Sequence, residues 1–165
     1  MITIRKAVLA DIGEVASLLV SSFGHLAIAE GALSYFIDRY YVAISDTGHI
    51  IGVSGIVPEE DHYTITFSCV NIRYRNQGVM DKLFRYILKD YDKNKSITLR
   101  AWHLPDKERA NLDGIAKRYG FILIKSSFVN RIKGITQCCN DCIYNNKKEC
   151  QCSDDLYLLD MVDLT

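Results

Sequence analysis

The stretch from His62 to Tyr91 most constrains the fold, because a strand pattern gives way to a helix pattern within a few residues. The run HYTITFSCV alternates polar and apolar side chains, as a half-buried strand does, with Tyr63, Ile65, Phe67 and Cys69 predicted on one face. After the polar run NIRYRNQG, apolar residues return at helical spacing: Met80, Leu83, Phe84, Ile87, Leu88 and Tyr91. The sequence therefore predicts a strand, a short polar loop and an amphipathic helix in direct succession.

The polar loop has the features of an anion-binding site. The first N–H groups of a helix lack partners inside the helix and carry the positive end of its dipole. Gly78 allows a close backbone approach, and Arg75 can add a charge-assisted hydrogen bond. Residues 75–80 are therefore a candidate phosphate or pyrophosphate site. An ordinary strand-to-helix loop with a solvated arginine is the alternative, because one glycine is a weak signal.

The other segments extend the strand and helix pattern along the chain. Strand patterns occur in four further runs: ITIRKAV, SITLRAW, FILIKSSFV and LYLLDMVDL. A hairpin that turns near Asp46–Gly48 is predicted for the run YYVAISDTGHIIGVSGIV. Residues 12–23 and roughly 32–39 have helical patterns, and a last helix would start at Pro105–Asp106 with Leu112, Ile115, Ala116 and Tyr119 on its apolar face. Gly120 suits its C-terminal cap. The predicted order is β-α-α-β-β-β-α-β-α-β, a cysteine-rich loop, and a last strand. This order indicates a mixed α/β (α+β) fold with an antiparallel hairpin section.

Length and composition limit the classes of protein that this chain can belong to. The 165 residues, 48% hydrophobic and 24% charged, favour one globular domain over residues 1–165, with the cysteine-rich loop at about 137–153. Twenty basic and 20 acidic residues give zero formal net charge, which argues against a nucleic-acid binder, although a local basic patch stays compatible. No segment is apolar over a membrane-spanning length, and the start MITIRKAV does not have a signal-peptide pattern. We therefore expect a cytoplasmic protein.

The run VNIRYRNQGVMDKL, residues 70–83, resembles the acetyl-CoA-binding motif R/Q-x-x-G-x-G/A of the GNAT acetyltransferase superfamily. Arg75 and Gly78 match this motif, whereas Met80 departs from the usual Gly or Ala. The order of elements is also similar to that family, and RYGF at 118–121 falls where the family often has Gly-Phe. The resemblance implies a GNAT-like, mostly antiparallel sheet flanked by helices. It also implies an N-acetyltransferase that uses acetyl-CoA.

The resemblance implies a set of residues that bind the cofactor. The main chain around 77–80 would hold the pyrophosphate, and exposed main chain near Val70 and Ile72 would pair with the pantetheine arm like an added strand. Asn111 is near the start of the last helix, where the family often has a cofactor-contacting Asn, although its spacing differs by two residues. The full candidate set is Val70, Ile72, Arg75, Asn76, Gln77, Gly78, Val79, Met80 and Asn111.

A narrower similarity concerns the acceptor. RNQGVM, RANLDGIAKRYGF and FVNRI are similar to the beta-lysine N-acetyltransferase subgroup, from which the cysteine-rich loop departs. We expect a primary amine on a small molecule, such as an amino acid, as the acceptor. The alternatives are a protein or peptide N-acetyltransferase, a non-catalytic acyl-CoA sensor, and a zinc-dependent adaptor. GNAT proteins are often dimers, so a homodimer is compatible with the resemblance.

The candidate catalytic residues are His62, His103 and Tyr119. The family's usual acid tyrosine falls on Ala116 and its usual strand-four carboxylate falls on Thr64, so both are missing. Histidine titrates near neutral pH and suits a general base; a solvent-facing histidine is the alternative in both cases. The position of Tyr119 on an apolar stripe favours core packing. Proximity of a neutral amine to the thioester could replace a protein base.

Five of the six cysteines fall within residues 138–152, with the spacing C-C-x2-C-x7-C-x-C. Four thiolates in tetrahedral geometry can hold a structural zinc, and C-x2-C is a familiar zinc spacing, whereas C-x-C is less so. Reversible disulfide or redox chemistry and plain reduced thiols are the alternatives. The candidate metal ligands are Cys138, Cys139, Cys142, Cys150 and Cys152.

Overall fold

The computed structural model describes residues 1–23, 30–91, 94–103, 112–128 and 153–160, with the order of strands and helices that the sequence predicts. The strands are β1 (Thr3–Lys6), β2 (Tyr40–Ile44), β3 (Ile50–Pro58), β4 (His62–Val70), β5 (Ser96–His103), β6 (Ile122–Phe128) and β7 (Ser153–Leu159). The α-helices are α1 (Ile12–Phe23), α2 (Glu30–Phe36), α3 (Val79–Asp90) and α4 (Leu112–Arg118). No helix in these ranges is long and apolar enough to cross a membrane.

The described strands form one sheet in the order β1-β2-β3-β4-β5-β7-β6. The β4–β5 pair is parallel, and the other five neighbouring pairs are antiparallel. A parallel pair needs a crossover connection, which here includes α3. The expected mixed, mostly antiparallel sheet flanked by helices is therefore confirmed.

Each face of the sheet buries its own hydrophobic cluster. Tyr41 and Ala43 of β2 belong to the cluster that includes residues of α3 and α4, whereas Tyr40 and Val42 belong to the cluster that includes residues of α1. Successive residues of a strand point to opposite faces. Consequently α3 and α4 cover one face of the sheet, and α1 covers the other.

A bulge interrupts β4 in its second half. The β3–β4 register shifts between Val53 and Gly55, and Phe67 of β4 has a φ of +50°. An extra residue in one strand moves the following side chains to the other face. Thus Ile65 packs with the α3–α4 cluster, but Phe67 and Cys69 pack with the α1 cluster. The prediction that Tyr63, Ile65, Phe67 and Cys69 share one face is wrong beyond Ile65.

Beyond this point the sheet opens between β4 and β5. Their pairing extends only from His62–Ser96 to Ile65–Leu99, whereas β4 continues to Val70 and β5 to His103. The second halves of these two strands therefore border what we call the β4–β5 opening. The Asn71 N–H donates to the Ile51 carbonyl at 2.9 Å. In a strand, the N–H and C=O of one residue point to one side and those of the next residue to the other. The Val70 N–H and C=O therefore point into the opening.

Two glycine-containing turns form as the sequence predicts. Gly48 has a φ of +86° in the β2–β3 hairpin and donates its N–H to the Ser45 carbonyl at 3.1 Å. Gly120, with a φ of +81°, ends α4, and the following Phe121 N–H donates to the Ala116 carbonyl at 2.9 Å. Both turns adopt left-handed backbone angles that glycine allows at little cost.

Candidate active site

The first turn of α3 is held against the sheet by a close approach to Gly52 of β3. A Cβ on Gly52 would lie 2.9 Å from Val79 Cγ1 and 3.2 Å from Leu83 Cδ1. Val79 and Leu83 are both buried. Because glycine leaves this space free, α3 can start directly behind the end of β4, next to the β4–β5 opening.

The loop from Arg75 to Gly78 presents main-chain donors to solvent. Gly78 is the N-cap of α3 with a φ of +74°, and its neighbour Asn76 is also left-handed with a φ of +61°. The Lys82 N–H bonds to the Gly78 carbonyl at 3.0 Å, so the N–H groups up to residue 81 have no i−4 acceptor within the helix. A Cβ on Gly78 would have nothing within 4 Å. The main chain at Gly78 is therefore open to the approach of a ligand anion.

Arg75 links this loop to the β4–β5 opening. Its Nε donates to the Val70 carbonyl at 3.2 Å, and a guanidinium has four further N–H donors. The structure thus brings together Arg75 and Val70, which the resemblance assigned to the pyrophosphate and the pantetheine arm. Ile72 lies beyond β4 in a short 3-10 turn, Ile72–Tyr74, with 75% of the residue exposed.

The remaining side chains of the loop have structural contacts. Gln77 Nε2 donates to the Arg73 carbonyl at 3.0 Å, which braces the loop. Val79 is buried in the α3–α4 cluster, and Met80 packs against the edge of that cluster. Where the family usually has Gly or Ala, the Met80 side chain therefore serves packing, and the main chain of residues 79–80 is what a ligand can meet.

A polar cluster that the sequence analysis missed surrounds the same helix turn. The Asp81 carboxylate accepts hydrogen bonds from Arg118 at 2.9 Å, Arg85 at 3.0 Å and the Tyr119 hydroxyl at 3.1 Å. The Arg118 bond is the main cause that lowers the pKa of Asp81 below its usual value, with further contributions from Tyr119 and Arg85. We call Asp81, Arg85, Arg118 and Tyr119 the Asp81 cluster. It ties the end of α4 to the start of α3.

The three predicted catalytic residues lie in different places. His62 is eight residues before Val70, roughly 25 Å along the strand, and its Nδ1 lies 2.6 Å from Asp61 Oδ1. It pairs with Ser96 where β4 and β5 are still joined. Thr64 is also in this joined part, with its Oγ1 2.9 Å from Thr98 Oγ1.

His103 is the last residue of β5, so its main chain borders the β4–β5 opening, while its side chain is outside the described parts. Tyr119 belongs to the Asp81 cluster, where its ring lies 5.9 Å from Phe84 between centroids. Burial is the main cause that raises the pKa of the Tyr119 hydroxyl. These contacts favour a structural role for Tyr119, and the catalytic roles of all three residues stay predictions.

A second feature that the sequence analysis missed lies at the bulge. Ser54 of β3 and Ser68 of β4 are buried, and their hydroxyl oxygens lie 2.8 Å apart. The signal that could have indicated the irregularity is in β3, where Gly52 and Gly55 interrupt the strand pattern. Glycine inside a strand often marks a bulge or a close backbone approach.

The predicted metal ligands all belong to the cysteine-rich loop. Cys138, Cys139, Cys142, Cys150 and Cys152 lie outside the described residues, as does Asn111. Within the described ranges, no group of three or more His, Cys, Asp or Glu side chains could hold a metal ion. The zinc interpretation therefore stays a prediction.

A family model described as the acetyltransferase (GNAT) family matches residues 15–121. The chain belongs to the GNAT family. The match runs from within α1 to just beyond α4 and includes the loop before α3 and both strands of the β4–β5 opening. It confirms the resemblance that the motif at residues 75–80 indicated. No curated protein matches the chain.

Solved structures share the GNAT fold. The ribosomal-protein-S18-alanine N-acetyltransferase of Escherichia coli has a TM-score of 0.69 and 13% identity over 98% of this chain and 94% of that one. N-acetylglutamate synthase of Neisseria gonorrhoeae, complexed with coenzyme A and N-acetyl-glutamate, has a TM-score of 0.61 and 16% identity over 96% of this chain. A Pyrococcus horikoshii protein, provisionally an acetyltransferase, has a TM-score of 0.59 and 18% identity over 76% of this chain.

This chain spans only 34% of the Neisseria protein and 44% of the Pyrococcus protein. At these identities the likeness shows the fold alone.

Proposed function

We propose that this GNAT protein is an N-acetyltransferase that transfers the acetyl group of acetyl-CoA to a primary amine. One observation carries the proposal. The open loop at Gly78, followed by the first turn of α3 with N–H groups that lack an i−4 acceptor within the helix, is joined through Arg75 to the end of β4 at the β4–β5 opening. A phosphate-binding helix start beside an unpaired strand edge suits a ligand with a diphosphate and an amide-containing arm.

The donor would be held mainly by the main chain. The N–H groups of residues 77–80 would bind the diphosphate, and Arg75 would add its remaining N–H donors. The Val70 N–H, which faces the opening, would pair with an amide of the pantetheine arm, while the Val70 carbonyl accepts from Arg75. The residues present fit such a group, because the loop is exposed and Gly78 leaves free space above it. The Neisseria relative with coenzyme A bound supports this donor.

The reaction needs an amine nitrogen that has lost its extra proton. The nitrogen attacks the thioester carbonyl carbon, a C–N bond forms, the C–S bond breaks, and the coenzyme A thiolate leaves and takes up a proton. His103 is the best candidate for the base, because β5 ends at the opening. His62 is less suitable, because it lies where β4 and β5 are joined. Proximity between amine and thioester supplies the remaining rate.

The proposed acceptor is a small molecule with a primary amine, and beta-lysine is the sharpest choice, from the similarity of residues 75–80 and 109–121. A protein or peptide acceptor is the alternative, since one structural relative acts on a ribosomal protein. A non-catalytic acyl-CoA sensor is the other alternative. Release of free thiol from acetyl-CoA should be measured with beta-lysine, other amino acids and alanine-starting peptides in parallel. No thiol release with any amine, despite acetyl-CoA binding, would favour the sensor.

We also propose that the cysteine-rich loop at about 137–153 holds a structural zinc through four of its five thiols. Elemental analysis of protein purified without chelators should find about one zinc per chain. Replacing both Cys139 and Cys142 should abolish zinc binding, whereas replacing the isolated Cys69 should leave the zinc content unchanged. Metal-free wild-type protein would exclude the zinc version and leave a redox role or reduced thiols.

A further inference from the structure

Two arginines from different helices converge on one carboxylate at the start of α3. Arg85 Nη2 lies 3.0 Å from Asp81 Oδ2, and Arg118 Nη1 of α4 lies 2.9 Å from Asp81 Oδ1. Each guanidinium contacts a different oxygen of the same group. Two like charges are therefore held close together, with a single carboxylate between them.

The arginines, and not the carboxylate, face the solvent. The Asp81 side chain is 16% exposed, whereas those of Arg85 and Arg118 are 76% and 64% exposed. Two cations and one anion leave one positive charge in excess, and most of the five N–H donors of each guanidinium stay available to a ligand. Paired guanidiniums with outward donors suit the planar, bidentate recognition of a phosphate.

The position of the pair indicates which phosphate it would meet. Asp81 is the third residue of α3 and Arg85 is the last residue of the next turn, about 6 Å further along the axis. The proposed diphosphate site is the first turn of this same helix. Acetyl-CoA carries a diphosphate at the 5′ position of its ribose and a phosphomonoester at the 3′ position. Because both groups are attached to the same ribose, the 3′-phosphate lies close to the diphosphate.

We propose that Arg85 and Arg118 form a subsite for the 3′-phosphate of acetyl-CoA, with Asp81 and Tyr119 holding them in place. The Tyr119 hydroxyl lies 3.0 Å from the Asp81 main-chain oxygen and 3.1 Å from Oδ1, which fixes the carboxylate from the α4 side. This inference rests on the proposed function. It predicts in addition that the protein binds coenzyme A more tightly than 3′-dephospho-coenzyme A.

The test compares the affinities of coenzyme A and 3′-dephospho-coenzyme A by calorimetry. Wild type should bind coenzyme A about tenfold or more tightly than the dephospho form, as expected for charge-assisted bonds to a phosphate. Arg85→Ala should reduce this ratio, and Arg85→Ala with Arg118→Ala should bring it close to one. Lys89→Ala with Lys117→Ala removes the same charge from the same two helices and should keep the wild-type ratio.

Two results would overturn the subsite. One is a wild-type ratio within about twofold of one; the other is a loss of affinity for both ligands in the arginine variants with the ratio unchanged. Arg85→Ala alone decides the matter if the double variant misfolds, because Arg85 is exposed and bonds within its own helix turn. If wild type binds neither ligand, the proposed function itself fails, which is a different result from binding both equally.

Discussion

Gly78→Ala should separate the stability of the loop from its ability to bind acetyl-CoA. The left-handed backbone at φ +74° costs an L-residue about 1–2 kcal/mol relative to glycine. The added Cβ would have nothing within 4 Å, so no steric clash adds to this cost. We therefore expect a loss of about 1 kcal/mol in the free energy of unfolding, which lowers Tm by about 2–4 °C in a domain of this size.

Gly48→Ala is the matched control. Gly48 has a φ of +86°, and its Cβ would likewise have nothing within 4 Å, but it lies in the β2–β3 hairpin. Both variants should therefore lose similar stability. For acetyl-CoA the outcomes should differ, because a methyl group on Gly78 would stand where the diphosphate approaches the N–H groups. We expect Kd to rise at least about tenfold, or about 1.4 kcal/mol, for Gly78→Ala alone.

Thermal denaturation and calorimetric titration of the two variants provide the assay. Equal acetyl-CoA affinity in Gly78→Ala and Gly48→Ala would refute the placement of the diphosphate at this loop. A much larger loss of stability in Gly78→Ala than in Gly48→Ala would refute the strain argument, because the two glycines have similar angles and equally open surroundings.

Three further outcomes can be tested on the fold. Burial raises the pKa of the Cys69 thiol to about 12, so Cys69→Ala should leave the number of native thiols that react with Ellman's reagent unchanged and lower the denatured number by one. Arg5 lowers the pKa of Asp11, chiefly through its hydrogen bonds. The ion pair therefore stabilises the folded protein at a pH above the pKa of Asp11 in the unfolded chain, near 3.9, and this stabilisation is lost as pH falls through the pKa of Asp11 in the folded protein. Asp11→Asn should therefore weaken the acid-dependent fall in unfolding free energy measured by urea titration, and an unchanged pH dependence would contradict this. Ser54→Ala should cost about 1–3 kcal/mol, because it leaves the buried Ser68 hydroxyl without this partner, and adding Ser68→Ala should recover part of that loss; strictly additive losses in a double-mutant cycle would contradict the pair.

The order of elements and the loop before α3 could be predicted because their signals are local. Strand alternation, helical spacing and the glycine at position 78 each lie within a few neighbouring residues. The bulge has no such signal within β4 itself, because it depends on pairing with β3, whose glycines carry the only hint, and is centred on Phe67, a residue that rarely adopts a positive φ. Its effect reverses the faces of Phe67 and Cys69, so the period-two pattern failed there.

The site was less predictable where it depends on contacts between distant segments. Asp81 and Arg118 are 37 residues apart, and no local pattern indicates that they meet. His62 was correctly assigned to the start of β4, but the sequence could not show that β4 and β5 remain joined at that end and separate at the other. Which histidine is close to the β4–β5 opening therefore depends on strand register.

The most direct test of the central claim is a calorimetric titration of wild-type protein with acetyl-CoA, alongside Arg75→Ala and Lys89→Ala. Both substitutions remove one positive charge, but Lys89 lies about 15 Å along α3 from its first residue, about two Debye lengths at physiological ionic strength. We predict binding by wild type, about tenfold weaker binding by Arg75→Ala, and no change for Lys89→Ala. A folded wild-type protein that does not bind acetyl-CoA would contradict the account.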